Sequence, residues 1–149
     1  MPQFLRTDSD NADFRGLVTL LDHYLAVMDG EEHAFYAQYN KSDAIKEVVV
    51  AYQNGKPAGC GAIKKYSDTE TEIKRMYVLP EFRGLGIAKG ILGALEKWAS
   101  ELGFSECILE TGVKQVEAVQ LYQKCGYRIT ENYGQYANMA NSICMKKQL

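Results

Sequence analysis

The sequence predicts an α+β fold in which an antiparallel meander comes first and a crossover helix then brings the next strand in parallel. Three observations support this prediction. Strand-type runs fill the middle of the chain around an Asn54-Gly55 pair, an amphipathic helix begins near Ile87, and short buried runs alternate with a second helix after it. The sheet should therefore be mixed and mostly antiparallel.

The N-terminal third predicts one short strand followed by helical segments. The strand covers residues 3–6, and Asp10 or Asn11 is suited to cap the first helix, because a short polar side chain accepts a hydrogen bond from a free backbone N–H. A second helix is predicted over residues 31–39. The first helix is indicated by apolar residues at helical spacing: Phe14, Leu17, Val18, Leu21 and Leu25.

The middle of the chain changes to strand chemistry. Strands are predicted over residues 47–53, 57–66 and 71–78. The Asn54-Gly55 pair favours a tight hairpin between the first two, because both residues tolerate positive φ. Pro80 ends the third strand, since it cannot donate to a ladder.

After Pro80 the pattern becomes loop, helix, strand, helix and two strands. A strand is predicted over residues 107–110, a helix over 115–124 that Gly126 closes, and strands over 127–130 and 142–146. The first of the two helices ends before Gly103 and carries one apolar stripe: Ile87, Ile91, Leu95, Trp98 and Leu102.

Length and charge limit the classes of function. A chain of 149 residues fits one domain over residues 1–149. A net charge of −2 and a pI of about 5.7, with basic residues spread thinly, exclude a nucleic-acid partner. The N-terminus carries no apolar leader and no segment approaches the ~20 apolar residues that span a bilayer, so we expect no membrane association and a cytoplasmic location.

Cysteine and histidine usage gives no sign of a metal site or a redox dithiol. Only His23 and His33 offer imidazole groups. The four cysteines form no Cys-x-x-Cys pair and are expected to be small buried residues in a reducing compartment. They are Cys60, Cys107, Cys125 and Cys144.

The most informative segment is the glycine-bearing loop over residues 83–88, between the third middle strand and the amphipathic helix. Such a loop at a helix N-terminus presents unpaired N–H groups and the positive end of the helix dipole, which together bind an anion such as pyrophosphate. Gly84 and Gly86 let the backbone approach the phosphates, and Arg83 can add a charge-assisted contact.

Other interpretations of this loop fit less well. A Rossmann fingerprint needs a third glycine, but Gly90 falls one place late and the preceding strands form a hairpin. An NTPase loop needs Gly-Lys-Ser/Thr, which the segment lacks. An ordinary tight turn into a helix remains the simplest alternative.

Two segments resemble the acetyltransferases of the GNAT superfamily. Residues 83–88 resemble the Arg/Gln-x-x-Gly-x-Gly/Ala pyrophosphate motif, and residues 117–127 resemble the Ala-x-x-Leu-Tyr-x-x-x-Gly-Phe/Tyr segment at the expected spacing. The resemblance covers residues 72–127. It implies the GNAT fold, with helices on both faces of the central sheet and strands that splay apart at the acyl-CoA site.

The resemblance also implies acetyl-CoA as co-substrate and no metal. The strand before the loop would pair with the pantetheine arm through its backbone, and the Met76 N–H would polarise the thioester carbonyl. Gln115 stands where many members carry an asparagine that contacts the cofactor. The implied cofactor-binding residues are Met76, Val78, Arg83, Gly84, Leu85, Gly86, Ile87, Ala88 and Gln115.

Two catalytic residues are implied by the same resemblance. An attacking amine of pKa near 10.4 is only about one part in a thousand neutral at pH 7, so a base is needed. Glu72 resembles the strand glutamate that is the base in histone-acetylating members, with Glu110 or an ordered water as alternatives. Tyr122 resembles the tyrosine general acid that protonates the CoA thiolate, although core packing would also explain it.

The expected function is N-acetyl transfer from acetyl-CoA to a primary amine of a small molecule or peptide. An acyl-CoA-binding domain without turnover and a nucleotide-binding module are the alternatives. A homodimer stays open, as does the acceptor. Five residues are candidate walls of the acceptor pocket, with ordinary packing the preferred interpretation: Tyr24, His33, Tyr36, Tyr133 and Tyr136.

Overall fold

Seven strands form one sheet in the computed structural model, which describes residues 1–37 and 44–149. The strands are β1 (Gln3–Thr7), β2 (Glu47–Gln53), β3 (Lys56–Lys65), β4 (Glu70–Val78), β5 (Glu106–Gly112), β6 (Arg128–Thr130) and β7 (Ser142–Gln148). The α-helices are α1 (Ala12–Asp29), α2 (His33–Ala37), α3 (Ile87–Glu101) and α4 (Val116–Lys124). Short 3-10 turns cover Gly30–Glu32, Pro80–Phe82 and Gly134–Tyr136.

The strand order is β1-β2-β3-β4-β5-β7-β6, and the predicted mixed sheet is confirmed. Every neighbouring pair is antiparallel except β4 and β5, which run parallel because α3 crosses over between them. Within the described residues, no helix has the length and apolar character that crossing a bilayer requires.

Helices cover both faces of the sheet, as the resemblance implied. On one face, α3 buries Ile87, Ile91 and Leu95 against the sheet in the larger apolar cluster, which α4 joins through Tyr122. On the other face, α1 packs Phe14 and Leu17 against β2 and β3. We call these the α3 face and the α1 face.

The helix predictions are confirmed in part. Asn11, one of the two predicted caps, accepts a hydrogen bond from the Phe14 N–H. The predicted second helix begins as a 3-10 turn and continues as α2, and its last predicted residues lie outside the described part of the chain. Leu102 was expected in the apolar stripe of α3, but it is 48% exposed because the helix ends at Glu101 and Leu102 is its C-cap.

A β-bulge bends β4 away from β5. The parallel ladder pairs only three residues of each strand and ends at Glu72 and Ile108. Arg75 then adopts a positive φ of 58°, and the register with β3 shifts at this point. A bulge increases local twist and bends its strand. The predicted splay between β4 and β5 therefore has a defined cause, three residues beyond the last pair.

The bulge is tied to α1 by a buried ion pair. Arg75 is 5% exposed and its Nη2 donates to the Asp22 carboxylate, while its buried Nε and Nη1 atoms have no hydrogen-bond partner among residues 1–37 and 44–149. An uncompensated buried cation costs much more than an exposed one, because the low-dielectric interior disfavours its charge. Asp22 is therefore expected to stabilise both the fold and the bulge.

We expect Asp22→Asn to lower the free energy of unfolding by about 3 kcal/mol, the lower end of the range for breaking a buried pair, since the Asp22 side chain is itself 54% exposed. Urea denaturation measures this. Asp10→Asn is the matched control, because the Asp10–Arg15 pair is exposed on both sides and should contribute at most about 1 kcal/mol. Equal losses for the two variants would contradict a stabilising role of the Arg75 pair.

Candidate active site

The loop between β4 and α3 has the geometry of an anion site. Gly84 and Gly86 have φ values of +81° and +79°, which favour glycine, and a Cβ at either position would meet no atom within 4 Å. Gly86 is the N-cap of α3 and provides no side-chain hydrogen bond. The first N–H groups of α3 therefore face open space, and the loop fits a pyrophosphate.

Arg83 is anchored at the base of this loop. Its Nε donates to the Val78 carbonyl over 3.0 Å, and its guanidinium lies 5.9 Å from the centre of the Tyr77 ring. The side chain remains exposed, so its terminal nitrogens can contact a phosphate. Leu85 forms the exposed tip of the loop. Ile87, the first residue of α3, is buried in the larger apolar cluster, and Ala88 packs against that cluster.

Beyond their last pair, Glu72 and Ile108, β4 and β5 no longer pair with each other in the described part of the chain, and we call this unpaired region the gap. Met76 and Val78 lie on this part of β4 and turn their side chains toward the α3 face. Their contribution at the gap is therefore made by the backbone, which suits an extended ligand that adds to the strand edge.

On the α1 face, Glu72 is held by two neighbours. The Tyr133 hydroxyl donates to Glu72 Oε2 over 2.6 Å, and Lys74 Nζ lies 3.5 Å from Oε1. Glu72 is only 8% exposed, so it is not an ordinary surface charge. Tyr133 is itself fixed by edge-to-face contacts with Tyr66 and Tyr136.

Glu110 lies on the same face, two residues beyond the last pair of β4 and β5. It remains partly accessible. The pKa of Glu110 is raised to about 7, mainly by burial and also by the charges of Asp29 and Glu72, while a hydrogen bond from Ser142 and the charge of Lys74 oppose the rise. A carboxylate of this kind changes protonation near neutral pH.

Three polar side chains surround Glu110 from other elements. The Tyr36 and Ser142 hydroxyls are 2.8 Å apart, and Ser142 comes from β7, whose register places Cys144 opposite Glu110. The charges of Glu110 and Glu72 both raise the pKa of the buried Tyr136, so that ring lies near both carboxylates. Tyr36 and Tyr136 are stacked with centroids 6.4 Å apart.

Tyr122 approaches the gap from the α3 face. Its ring is buried against Tyr127 in a T-shaped contact of 5.9 Å between centroids. Burial raises the pKa of Tyr122 far above its ordinary value, and the charge of Glu110 adds to this rise. The phenol is therefore neutral at working pH.

Three further predicted residues lie on helices or at a helix end. Gln115 is the N-cap of α4 and lines a small cavity together with Asp29 and Tyr36. His33 pairs with Asp29, with 3.7 Å between Nδ1 and Oδ2. Tyr24 is partly buried on α1.

Ser142 and Asp29 were not predicted from the sequence. Ser142 lies on β7 and Asp29 on α1, and both act on the pKa of Glu110. No local pattern marks either residue, and only the register of β7 against β5 could have indicated Ser142.

The cysteines are free, and Cys60, Cys107 and Cys144 are buried as expected. Burial raises the pKa of Cys60 and of Cys107 to about 12, so these thiols are not nucleophiles.

Comparison with known proteins identifies the family. A model of the acetyltransferase (GNAT) family matches residues 14–127, which is most of the chain. The chain belongs to this family, and it is an acetyltransferase.

Individual relatives agree with this assignment. The IAA acetyltransferase of Azospirillum brasilense is 36% identical over 138 residues, which cover 89% of this chain and 88% of that protein. A crystal structure from Klebsiella pneumoniae subsp. pneumoniae MGH 78578, of a protein assigned as an acyl-CoA N-acyltransferase, has a TM-score of 0.84 at 27% identity, covering 100% of this chain and 98% of that one.

A GNAT family acetyltransferase from Elizabethkingia anophelis, crystallised with acetyl-CoA bound, shares the fold. Its TM-score is 0.72 at 19% identity, and the match covers 99% of this chain and 98% of that chain.

Proposed function

We propose that residues 1–149 form one N-acetyltransferase domain that moves an acetyl group from acetyl-CoA to a primary amine of a small molecule or peptide. The observation that carries this proposal is the unpaired edge of β4 leading directly into the open N-terminus of α3. An extended pantetheine fits the first feature and a pyrophosphate the second.

The donor site uses backbone groups for most of its contacts. The loop amides from Arg83 to Ala88 hold the pyrophosphate, with Arg83 adding charge, and the backbone of Met76 and Val78 contacts the pantetheine. Gln115 extends the cofactor contacts from the start of α4. The likeness to the Elizabethkingia anophelis protein with acetyl-CoA bound supports acetyl-CoA as the donor.

Residues from both faces of the sheet supply the acid–base groups. The Met76 N–H stabilises the negative charge that develops on the thioester oxygen. Tyr122 donates to the departing sulfur, which its neutral state allows. One of the two carboxylates, Glu72 as the family resemblance implies or Glu110, takes a proton from the amine.

The surroundings of the gap favour an enzyme over a domain that only binds acyl-CoA. Binding requires the loop and the strand edge, but it gives no role to two carboxylates and a neutral tyrosine beside the same gap. The four free cysteines support a reducing compartment, and we place the reaction in the cytoplasm.

A screen of primary amines tests this function by following release of free CoA thiol from acetyl-CoA. We expect at least one amine to give release that depends on both the protein and the amine, with an acetylated amine as product. Binding of CoA without turnover on any amine would support the binding-only alternative.

A further inference from the structure

We propose that Glu110 is the catalytic base that takes the proton from the acceptor amine, and that Glu72, held by Tyr133 and Lys74, is a positioning residue beside it. The assignment rests on the proposed acetyl transfer. In this assignment the acceptor amine approaches the gap from the α1 face, where both carboxylates lie.

The two carboxylates differ in their availability. Both oxygens of Glu72 already face donors, since Oε2 accepts from Tyr133 and Oε1 lies near the Lys74 ammonium. Glu72 is also only 8% exposed. A base must touch the proton that it takes, and the two donor neighbours and the burial of Glu72 make its oxygens less available to a substrate proton.

The Glu110 carboxylate is more accessible than that of Glu72 and has no ion pair as close as the one with Lys74 among the described residues. It lies where the ladder has ended, it is partly accessible, and the neutral hydroxyl of Ser142 is its hydrogen-bonding neighbour. Its pKa of about 7 is set mainly by burial, and a base works best when its pKa lies near the working pH. The titratable and charged groups that act on it or lie around it are Asp29 from α1, Tyr36 from α2, Glu72 and Lys74 from β4, Tyr122 from α4, Cys144 from β7, and Tyr136 before β7.

The protons balance with Glu110 in this role. The ammonium of the acceptor gives one proton to the Glu110 carboxylate, and the nitrogen lone pair then forms the C–N bond while the C–S bond breaks. The sulfur leaves with a proton from Tyr122. The second proton lost by nitrogen restores the Tyr122 hydroxyl, and Glu110 returns its proton to solvent.

Glu72 acts through Glu110. Its side chain is held in place by Tyr133 and Lys74, and its charge raises the pKa of Glu110. Removing the Glu72 charge should therefore lower the pKa of the base without removing the base.

The pH dependence of kcat/KM distinguishes these roles once the amine screen has given an acceptor. For the wild-type protein we expect the rate to fall as pH drops below about 7, where Glu110 becomes protonated. Glu110→Gln should lower kcat/KM at pH 7 by about 10²–10⁴-fold and remove the levelling-off of the rate near pH 7. The residual rate should then rise about tenfold per pH unit, as more amine arrives neutral.

Two further variants complete the test. Glu72→Gln should keep the fall of kcat/KM toward acid pH but move it to lower pH. Glu106→Gln is the matched control, because Glu106 lies on the same strand, paired with Lys146 and outside the site, and its profile should equal that of the wild type.

Loss of the levelling-off near pH 7 in Glu72→Gln with its retention in Glu110→Gln would overturn the assignment, and so would a levelling-off that neither variant moves. Absence of turnover by the wild-type protein would overturn the proposed function itself. If the wild-type protein is active, a failure of the base assignment leaves the proposed function standing.

A melting series checks the Glu110 environment without turnover. A carboxyl whose pKa rises from 4.5 unfolded to about 7 folded stabilises the fold at low pH, and this stabilisation is lost as pH rises through 7. Glu110→Gln should therefore gain melting temperature relative to the wild type between pH 5 and pH 8. Parallel curves for the two proteins would contradict the desolvated carboxylate on which the assignment depends.

Discussion

Replacing Tyr122 with phenylalanine is expected to lower turnover by about 10²–10⁴-fold while acetyl-CoA binding stays unchanged. The hydroxyl is buried and neutral, and the nearby charge of Glu110 contributes to raising its pKa. The substitution keeps the ring and its contact with Tyr127, so the fold should persist. Steady-state kinetics with a saturating acceptor measure the loss, and a thermal shift with CoA verifies binding.

The matched control for this prediction is Tyr127→Phe. It removes the same hydroxyl from the neighbouring ring, where the oxygen donates to Glu96 on α3 over 2.9 Å. We expect a lower melting temperature and nearly normal turnover. A rate for Tyr122→Phe as high as that of Tyr127→Phe would return Tyr122 to a role in core packing.

Replacing Gly86 with valine is expected to abolish CoA binding. Gly86 needs a φ of +79°, which a β-branched residue does not adopt without strain, and its open side is where the phosphates approach. For the wild type, CoA at a hundredfold above its Kd should stabilise the fold by about 2.7 kcal/mol, or about 5–10 °C in melting temperature. The variant should show no shift.

Gly93→Val is the control for the loop. Gly93 is exposed within α3, its φ is not positive, and a Cβ there would meet no atom within 4 Å. This variant should keep the full shift with CoA. If Gly86→Val also kept the shift, or if ATP or NAD shifted the wild type while CoA did not, the loop would not be a CoA site.

The loop could be predicted from the sequence because its function depends on short-range features. Positive φ at Gly84 and Gly86 and the free N–H groups of α3 follow from residues within one helical turn of each other. The parallel pairing of β5 with β4 could also be predicted, since a crossover helix in this order leaves few other arrangements.

The choice of base could not be predicted in the same way. The distinction between Glu72 and Glu110 depends on Tyr133 and Ser142, which approach from the C-terminal part of the chain only after β7 has paired with β5. The bulge at Arg75 likewise has no local signal, because a positive φ at a residue other than glycine is maintained by its surroundings, here the ion pair with Asp22.

A crystal structure of the protein with CoA bound tests most directly where the chemistry takes place. We expect the pyrophosphate on the amides between Arg83 and Ala88, the pantetheine along the free edge of β4, and the sulfur in the gap between Tyr122 and Glu110. CoA bound elsewhere, with the ladder between β4 and β5 still open and empty, would contradict the assignment of this gap as the active site.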